Sequence, residues 1–164
     1  MRELTQIRDA VISALNEAGL TALAAFPEGK AKQYGGAVAV AAVGAAEGKA
    51  MALNNYLGEV YDESAGTVRE LYGRQLEGDI TVSVRAERAA DCEAGCEVAT
   101  DVLLGRLPAG IRPQQLNWEA LAWEKNTGMF LRKGSLRCQA VFTAQAQEDG
   151  EVFDDFILKG VLQD

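Results

Sequence analysis

Residues 71–86, LYGRQLEGDITVSVRA, contain the feature that most constrains the fold of this chain. A turn-like Gly-Asp pair is followed by strict alternation, with apolar side chains at every second position from Ile80 to Ala86 and polar ones between them. A period of two is typical of a strand with one buried and one solvated face. No candidate active site accompanies this strand, so the pattern favours a protein that presents sheet surfaces and edges to other proteins.

Two helices and several further strands are predicted from the same kind of pattern. Apolar residues recur at spacings of three and four over residues 3–18, before a cap-like Gly19, and over residues 89–107, before Pro108. Strands are predicted over residues 21–26, 36–44, 115–124, 129–146 (with an irregularity at Lys133-Gly134) and 152–160. We therefore expect one α+β domain over residues 1–164, in which two helices pack on one face of a mostly antiparallel sheet.

The segment between residues 45 and 78 has the least regular pattern. Five glycines punctuate it, and Tyr56, Tyr61 and Tyr72 are spread along it. A segment of this length without regular structure is usually functional when it belongs to a compact domain. We predict that residues 48–76, approximately, form an extended arm or hairpin that projects from the body.

Composition and charge exclude several classes of function. The chain has 164 residues and a net charge of −8, which argues against nucleic acid as the main ligand because phosphate binding needs a basic surface. The charged start MRELTQIRDA predicts no signal peptide, and the longest apolar run, residues 35–46, is shorter than the roughly 17–25 residues of a membrane span. Three cysteines without a disulfide-like framework indicate folding in a reducing cytoplasm.

No residue pattern indicates catalysis or a cofactor. The chain has no histidine, so Ser-His and Cys-His nucleophile pairs are excluded, and no glycine-rich phosphate motif occurs. Carboxylate clusters lack a basic partner, which favours solvated surface over acid–base chemistry or Mg²⁺ binding; they are Glu59, Asp62 and Glu63, and Asp154 with Asp155. We expect no enzymatic activity.

The cysteines and tryptophans each allow two interpretations. Cys92 and Cys96 lie one helical turn apart and could hold a soft metal ion with Cys138, but each falls on an apolar line, which favours small buried side chains. Trp118 and Trp123 are five apart on a predicted strand and hence on opposite faces. An exposed tryptophan is either an interface anchor or a residue packed under a neighbouring loop.

Three segments resemble proteins from the tail-morphogenesis region of tailed bacteriophages and prophages. They are YLGEVYDESAGTVRELYGRQLEGDITVSVRA at residues 56–86, LNWEALAWEKNTGMFLRKGSLRCQAVF at 116–142 and FDDFILKG at 153–160. Within that region the chain resembles tail terminators, also called tail completion proteins. The resemblance implies a small α+β fold in a hexameric ring that caps the tail tube, ends its elongation and provides the docking surface for the head or neck.

The resemblance also implies partners and contact residues. The chain would be made in the bacterial host cytoplasm, join the virion tail, and bind the tail tube protein and a neck or connector protein, with DNA only passing through the lumen. Inter-subunit contacts would fall on Tyr56, Leu57, Tyr61, Leu71, Tyr72, Trp118 and Trp123, and an acidic lumen would include Glu148, Asp149 and Glu151. No catalytic residue carries over. The alternatives are a connector, neck or tube-like subunit of the same particle and, less favoured, a cytoplasmic enzyme or small-molecule binding domain.

Overall fold

A computed structural model describes residues 2–27, 34–50, 55–63, 66–146 and 156–160. Within these residues the chain forms two helices and one eight-stranded sheet, which confirms the predicted α+β class. In chain order the elements are α1 (Arg2–Glu17), β1 (Thr21–Leu23), β2 (Val38–Ala50), β3 (Tyr56–Asp62), β4 (Thr67–Ala86), α2 (Ala89–Gly105), β5 (Ile111–Trp118), β6 (Ala122–Glu124), β7 (Met129–Ala146) and β8 (Ile157–Leu158).

The two longest strands, β4 and β7, form the centre of the sheet. The main strand order is β1-β2-β4-β7-β5, and every pairing except the parallel β1–β2 pair is antiparallel. β4 and β7 are paired without a break from Glu70↔Ala146 to Ala86↔Phe130, so the irregularity predicted at Lys133-Gly134 is wrong. A glycine at position 134 avoids a steric clash, because a Cβ at this position would lie 2.6 Å from the Trp118 ring.

Strands β2 and β3 follow one another along the same edge of β4. β2 pairs with residues 74–85 of β4 and β3 with residues 67–72, while β7 occupies the other edge of β4. Much of the segment predicted as an extended arm or hairpin, residues 48–76, is thus paired strand, and the strand predicted over residues 36–44 continues to Ala50. β1 pairs only with residues 38–40 of β2, and no described strand pairs with the rest of that outer edge.

The core lies between the two helices and one face of the sheet. Ile80, Val82, Val84 and Ala86 are at most 1% exposed, which confirms the buried face predicted from their alternation. α1 contributes Ile7, Val11 and Leu15 to the core, and α2 contributes Cys92, Cys96, Ala99, Val102 and Leu103. We call the opposite surface of the sheet the open face.

The C-terminal strand β8 connects α1 to the sheet. It pairs with β7 at Phe142↔Leu158, and the Gln6 side chain donates to the Phe156 carbonyl and accepts from the Leu158 N–H, both at 2.8 Å. A strand is predicted over residues 152–160, whereas β8 covers only Ile157–Leu158. Residues 152–155 of that prediction lie outside the described residues. The predicted strand over residues 115–124 begins earlier, at Ile111, and is split into β5 and β6.

Candidate interaction surfaces

The hairpin formed by β3 and the start of β4 extends the sheet beyond its main body. We call residues 55–63 and 66–72 the arm tip. Its outer strand, β3, packs extensively against β4 alone among the described elements. The predicted arm, residues 48–76, reaches further into the body than this, since Leu76 is buried in the core and Arg74 binds Glu3 of α1 at 2.6 Å.

Large apolar side chains are exposed on the arm tip. Tyr56 is 40% exposed, Leu57 39% and Tyr61 61%. Leu57 has no cross-strand partner, because the register shifts between Tyr56 and Gly58. Tyr56 and Tyr61 pair with Tyr72 and Val68, which are an even number of residues apart on β4, so their side chains share one face of the hairpin.

The third tyrosine is held in place by its neighbours. The rings of Tyr56 and Tyr72 meet edge to face with centroids 5.5 Å apart, and the Tyr72 hydroxyl donates to Glu70 at 2.8 Å. That bond to a carboxylate favours the protonated phenol and raises the pKa of Tyr72. Leu71 is half-buried and points to the other face of the strand. Five residues predicted at subunit contacts are thus together on the arm tip.

The two tryptophans belong to a separate part of the surface. Trp118 is partly buried against the core and donates from Nε1 to Thr100 Oγ1 at 2.9 Å. Trp123 is 56% exposed, and its ring meets Phe130 edge to face at 5.0 Å. Their partners on β7, Gly134 and Phe130, are four residues apart, so both rings are on the same face. The prediction of opposite faces is wrong because the chain leaves the sheet at residues 119–121.

Distance also separates the tryptophans from the arm tip. Tyr72 pairs with Ala144 and Trp118 pairs with Gly134, ten residues earlier on β7. At about 3.3 Å per residue the two regions are roughly 33 Å apart along the strand. The structure therefore gives two candidate contact surfaces rather than one.

Some of the acidic residues singled out in the sequence lie on the arm tip, and the others lie outside the described residues. Glu59 and Glu63 are exposed on the arm tip, and Glu59 is directly opposite Glu70 across the two strands. Glu148, Asp149, Glu151, Asp154 and Asp155 lie outside the described residues. The arm tip is therefore rich in acidic side chains.

Ion pairs cross the open face of the sheet. Lys49 binds Glu77 at 3.0 Å, and Arg137 binds Asp79 at 3.6 Å. The bond to Lys49 is the main cause that holds the pKa of Glu77 below its ordinary value. These groups are paired with one another across neighbouring strands, so they form a solvated sheet surface rather than an acid–base site.

A better-shielded ion pair joins β4 to β6. Arg85 donates from Nε and Nη2 to the two carboxylate oxygens of Glu124, at 2.9 and 3.3 Å, and Thr127 donates to the same carboxylate at 2.7 Å. The Arg85 side chain is 16% exposed and that of Glu124 24%. The Arg85 bonds are the main cause of a lowered pKa for Glu124. This pair attaches the segment that carries Trp123 to the sheet.

Glu124→Gln is expected to lower the free energy of unfolding at pH 7 by about 1–2 kcal/mol, since it removes a charge-assisted bidentate pair. The folded-state pKa lies below the unfolded one, so the pair's stabilisation is complete above about pH 4.3. It is lost as the pH falls through the folded-state pKa. Urea unfolding between pH 3 and 7 should show that the free energies of unfolding of wild type and Glu124→Gln become equal as the pH falls. The exposed Glu119→Gln is the matched control, and an equal loss in both variants would contradict a role for the pair.

The three cysteines are buried thiols. Burial is the main cause that raises the pKa of Cys96 to about 12 and that of Cys138 to about 11. Burial also raises the pKa of Cys92, whose Sγ donates to the Val84 carbonyl at 3.3 Å. Within the described residues no group of three or more His, Cys, Asp or Glu side chains is arranged to hold a metal ion.

Two concave surfaces are formed by described residues alone. One, about 340 Å³, is lined by Tyr34, Gly35, Gly36, Glu87, Arg88 and Asp91 at the start of α2. The other, about 270 Å³, lies between α1 and the turn after α2, and we call it the helix groove; it is lined by Ala10, Ser13, Ala14, Glu17, Arg106, Leu107, Pro108 and Gly160. The helix groove has no signature in the sequence, because its walls come from segments far apart in the chain.

Comparisons with known proteins give little further information. No protein-family model matches the chain, and no curated protein matches it. A chain in the structure of the virion of a native gene transfer agent (GTA) particle is 16% identical over 80% of this chain and 82% of that chain, with a TM-score of 0.29. A likeness this slight carries no argument about function. None of the helices within the described ranges has the length and apolar character needed to cross a membrane.

Proposed function

We propose that this chain is a structural subunit of a phage-like tail, and that copies of it form a ring that caps the tail tube. In this role it ends tube elongation, offers a docking surface to the head or neck, and performs no catalysis. The observation that carries the proposal is the arm tip, which exposes Tyr56, Leu57 and Tyr61 at the end of a paired strand framework. The same residues begin the segment that resembles tail terminators.

Physical reasons support a contact role for the arm tip. Aromatic side chains are enriched where proteins bind one another, and a few well-packed ones supply most of the binding free energy. β3 pairs with residues 67–72 of β4, residues 70–72 also pair with β7, and Tyr56 meets Tyr72 edge to face. A rigid framework lowers the conformational entropy lost on association. The net charge of −8 is compatible with DNA passing through a lumen without adhering to it.

The proposal is tested by measuring assembly with and without a phage tail tube protein. We expect multi-angle light scattering to give a ring mass, alone or after addition of tube protein, and co-sedimentation to place the chain at tube ends. Tubes grown in its presence should be shorter. A chain that remains monomeric and does not bind tubes would contradict the proposal. Binding to a capsid-side ring instead of tubes would favour the connector role.

A further inference from the structure

Basic side chains are concentrated on one part of the open face. Strands β5 and β7 contain bases but no acidic residue, in a chain whose net charge is −8. Lys133 and Arg137 point to the open face of β7, because Leu136 is buried on the helix side. Arg112 follows buried Ile111 on β5 and points the same way. All three bases are exposed, and we call them the basic strip.

The described part of the chain leaves the basic strip uncovered. Among the described residues its one ion pair joins Arg137 to Asp79 of β4 at 3.6 Å, and exposed pairs of this kind contribute little. Phe156 packs against the core and Gly160 lines the helix groove, so both are on the helix side of the sheet. Phe26 stacks on Arg85, whose partner on β7 is six residues, or roughly 20 Å, from Arg137. The centre of the strip is therefore open to a partner.

The exposed side of α2 has the opposite charge. Glu93, Glu97 and Asp101 are exposed and four residues apart, so they form one line along the helix, and α2 contains no base. We call these three residues the acidic stripe. None of the ion pairs among the described residues includes them. Like charges four residues apart disfavour a helix, so the stability of α2 does not explain the stripe.

The two charged surfaces also match in length. Glu93 and Asp101 are eight residues apart on a helix, or about 12 Å, and Lys133 and Arg137 are four residues apart on a strand, or about 13 Å. α2 packs on the helix side of its own sheet, so its stripe cannot reach its own open face. Any contact between the two surfaces must join two copies. Nucleic acid suits the strip less well, since a chain of net charge −8 repels phosphate.

We infer that the acidic stripe of one copy docks on the basic strip of the next. This inference rests on the proposed function, since it names surfaces through which neighbouring subunits meet. The two surfaces differ, so the contact is head-to-tail, and such a contact closes into a ring when the rotation between copies allows it. Facing charges fix orientation and register more than they add affinity, which leaves the apolar contacts to the arm tip.

Charge reversal tests this contact. Lys133→Glu with Arg137→Glu makes the strip acidic, and Glu97→Lys with Asp101→Lys makes the stripe basic. At about 0.1 M salt, with phage tail tube protein if wild type requires it, each variant should associate at least about tenfold more weakly than wild type, because like charges then face each other. An equimolar mixture of the two variants should assemble again, since the altered surface of each then matches the altered surface of the other.

A matched control carries Lys125→Glu with Lys159→Glu. It changes the net charge as much as the strip variant does, at exposed positions outside both surfaces, and should assemble like wild type. Circular dichroism melting curves report whether each variant is folded. Wild-type association should also weaken at least about tenfold between about 0.1 and 0.5 M salt, a measurement that needs no substitution.

The outcomes separate the docking inference from the proposed function. If wild type assembles but the mixture does not, or if either reversed variant or high salt leaves assembly unchanged, the docking inference is wrong and the proposed function stands. A strip variant that loses binding to DNA or tube protein but still self-associates also overturns the inference. If wild type assembles neither alone nor with tube protein, the proposed function fails, and the docking inference fails with it.

Discussion

Replacing residues 57–71 with an Asn-Gly turn is expected to give a folded chain that no longer assembles. Tyr56 and Tyr72 are cross-strand partners, so a two-residue turn of this kind can close the shortened hairpin. The change removes Leu57 and Tyr61 but keeps buried Leu76 in place. Loss of two interface anchors should weaken association by about a hundredfold or more. Light scattering measures association, and thermal unfolding followed by circular dichroism reports the fold.

The matched control for this variant shortens only the end of the hairpin. Asp62 and Thr67 are also cross-strand partners, so an Asn-Gly turn in place of residues 63–66 keeps the exposed apolar side chains Tyr56, Leu57 and Tyr61. This control should assemble like wild type. Equal assembly of both variants would show that the arm tip makes no subunit contact. Loss of cooperative unfolding in the longer replacement would show that the arm tip belongs to the core.

Phe142→Ala is expected to lower the free energy of unfolding by about 3–5 kcal/mol, the cost of a large buried cavity. Phe142 is fully buried, and it lies on β7 between its cross-strand partners Arg74 and Leu158. The cavity would open where β4, β7 and β8 meet beneath α1. Because a domain of this size has only about 5–15 kcal/mol of net stability, the loss is a large fraction of the total. Urea unfolding followed by tryptophan fluorescence measures it.

A neighbouring position provides the comparison for Phe142. Thr143 follows it on β7 but faces the open side of the sheet and is half-buried. Thr143→Ala should change the free energy of unfolding by less than about 1 kcal/mol. A comparable loss from both substitutions would contradict a core confined to the helix side of the sheet.

The sequence predicted strands best where their two faces differ. Ile80, Val82 and Val84 are buried while Thr81 is exposed, so residues 80–86 show a clear period of two. Earlier in β4, from Val68 to Tyr72, side chains on both faces are half-buried, and the apolar alternation disappears with the difference in burial. The second half of β2 was not predicted as strand for the same reason, because residues 44–50 are exposed on both faces of the sheet.

One glycine led to a wrong prediction of a turn, for a different reason. Gly78 resembled a turn signal, but it lies within β4, where a Cβ would be 2.6 Å from the Ala45 carbonyl oxygen. The close approach occurs where the register between β2 and β4 shifts, between Val43 and Ala46. Such tight backbone contacts depend on the neighbouring strand, so one segment of sequence cannot distinguish them from turns. The exposed tyrosines could be predicted from their place in the arm. The helix groove could not be predicted, because it forms only where α1 packs beside Leu107 in the folded chain.

The outer edge of β2, with which no described strand pairs beyond Val40, has a consequence for solubility. An edge of this kind presents backbone N–H and C=O groups that can pair with another chain and start aggregation. Its residues 41–50, AAVGAAEGKA, are mainly alanine and glycine, which form strands poorly and give an added strand few side-chain contacts. The register shift after Val43 interrupts the edge, and Glu47 and Lys49 place charges along it. The small side chains and the charges of this strand thus make pairing of this edge with another chain less favourable.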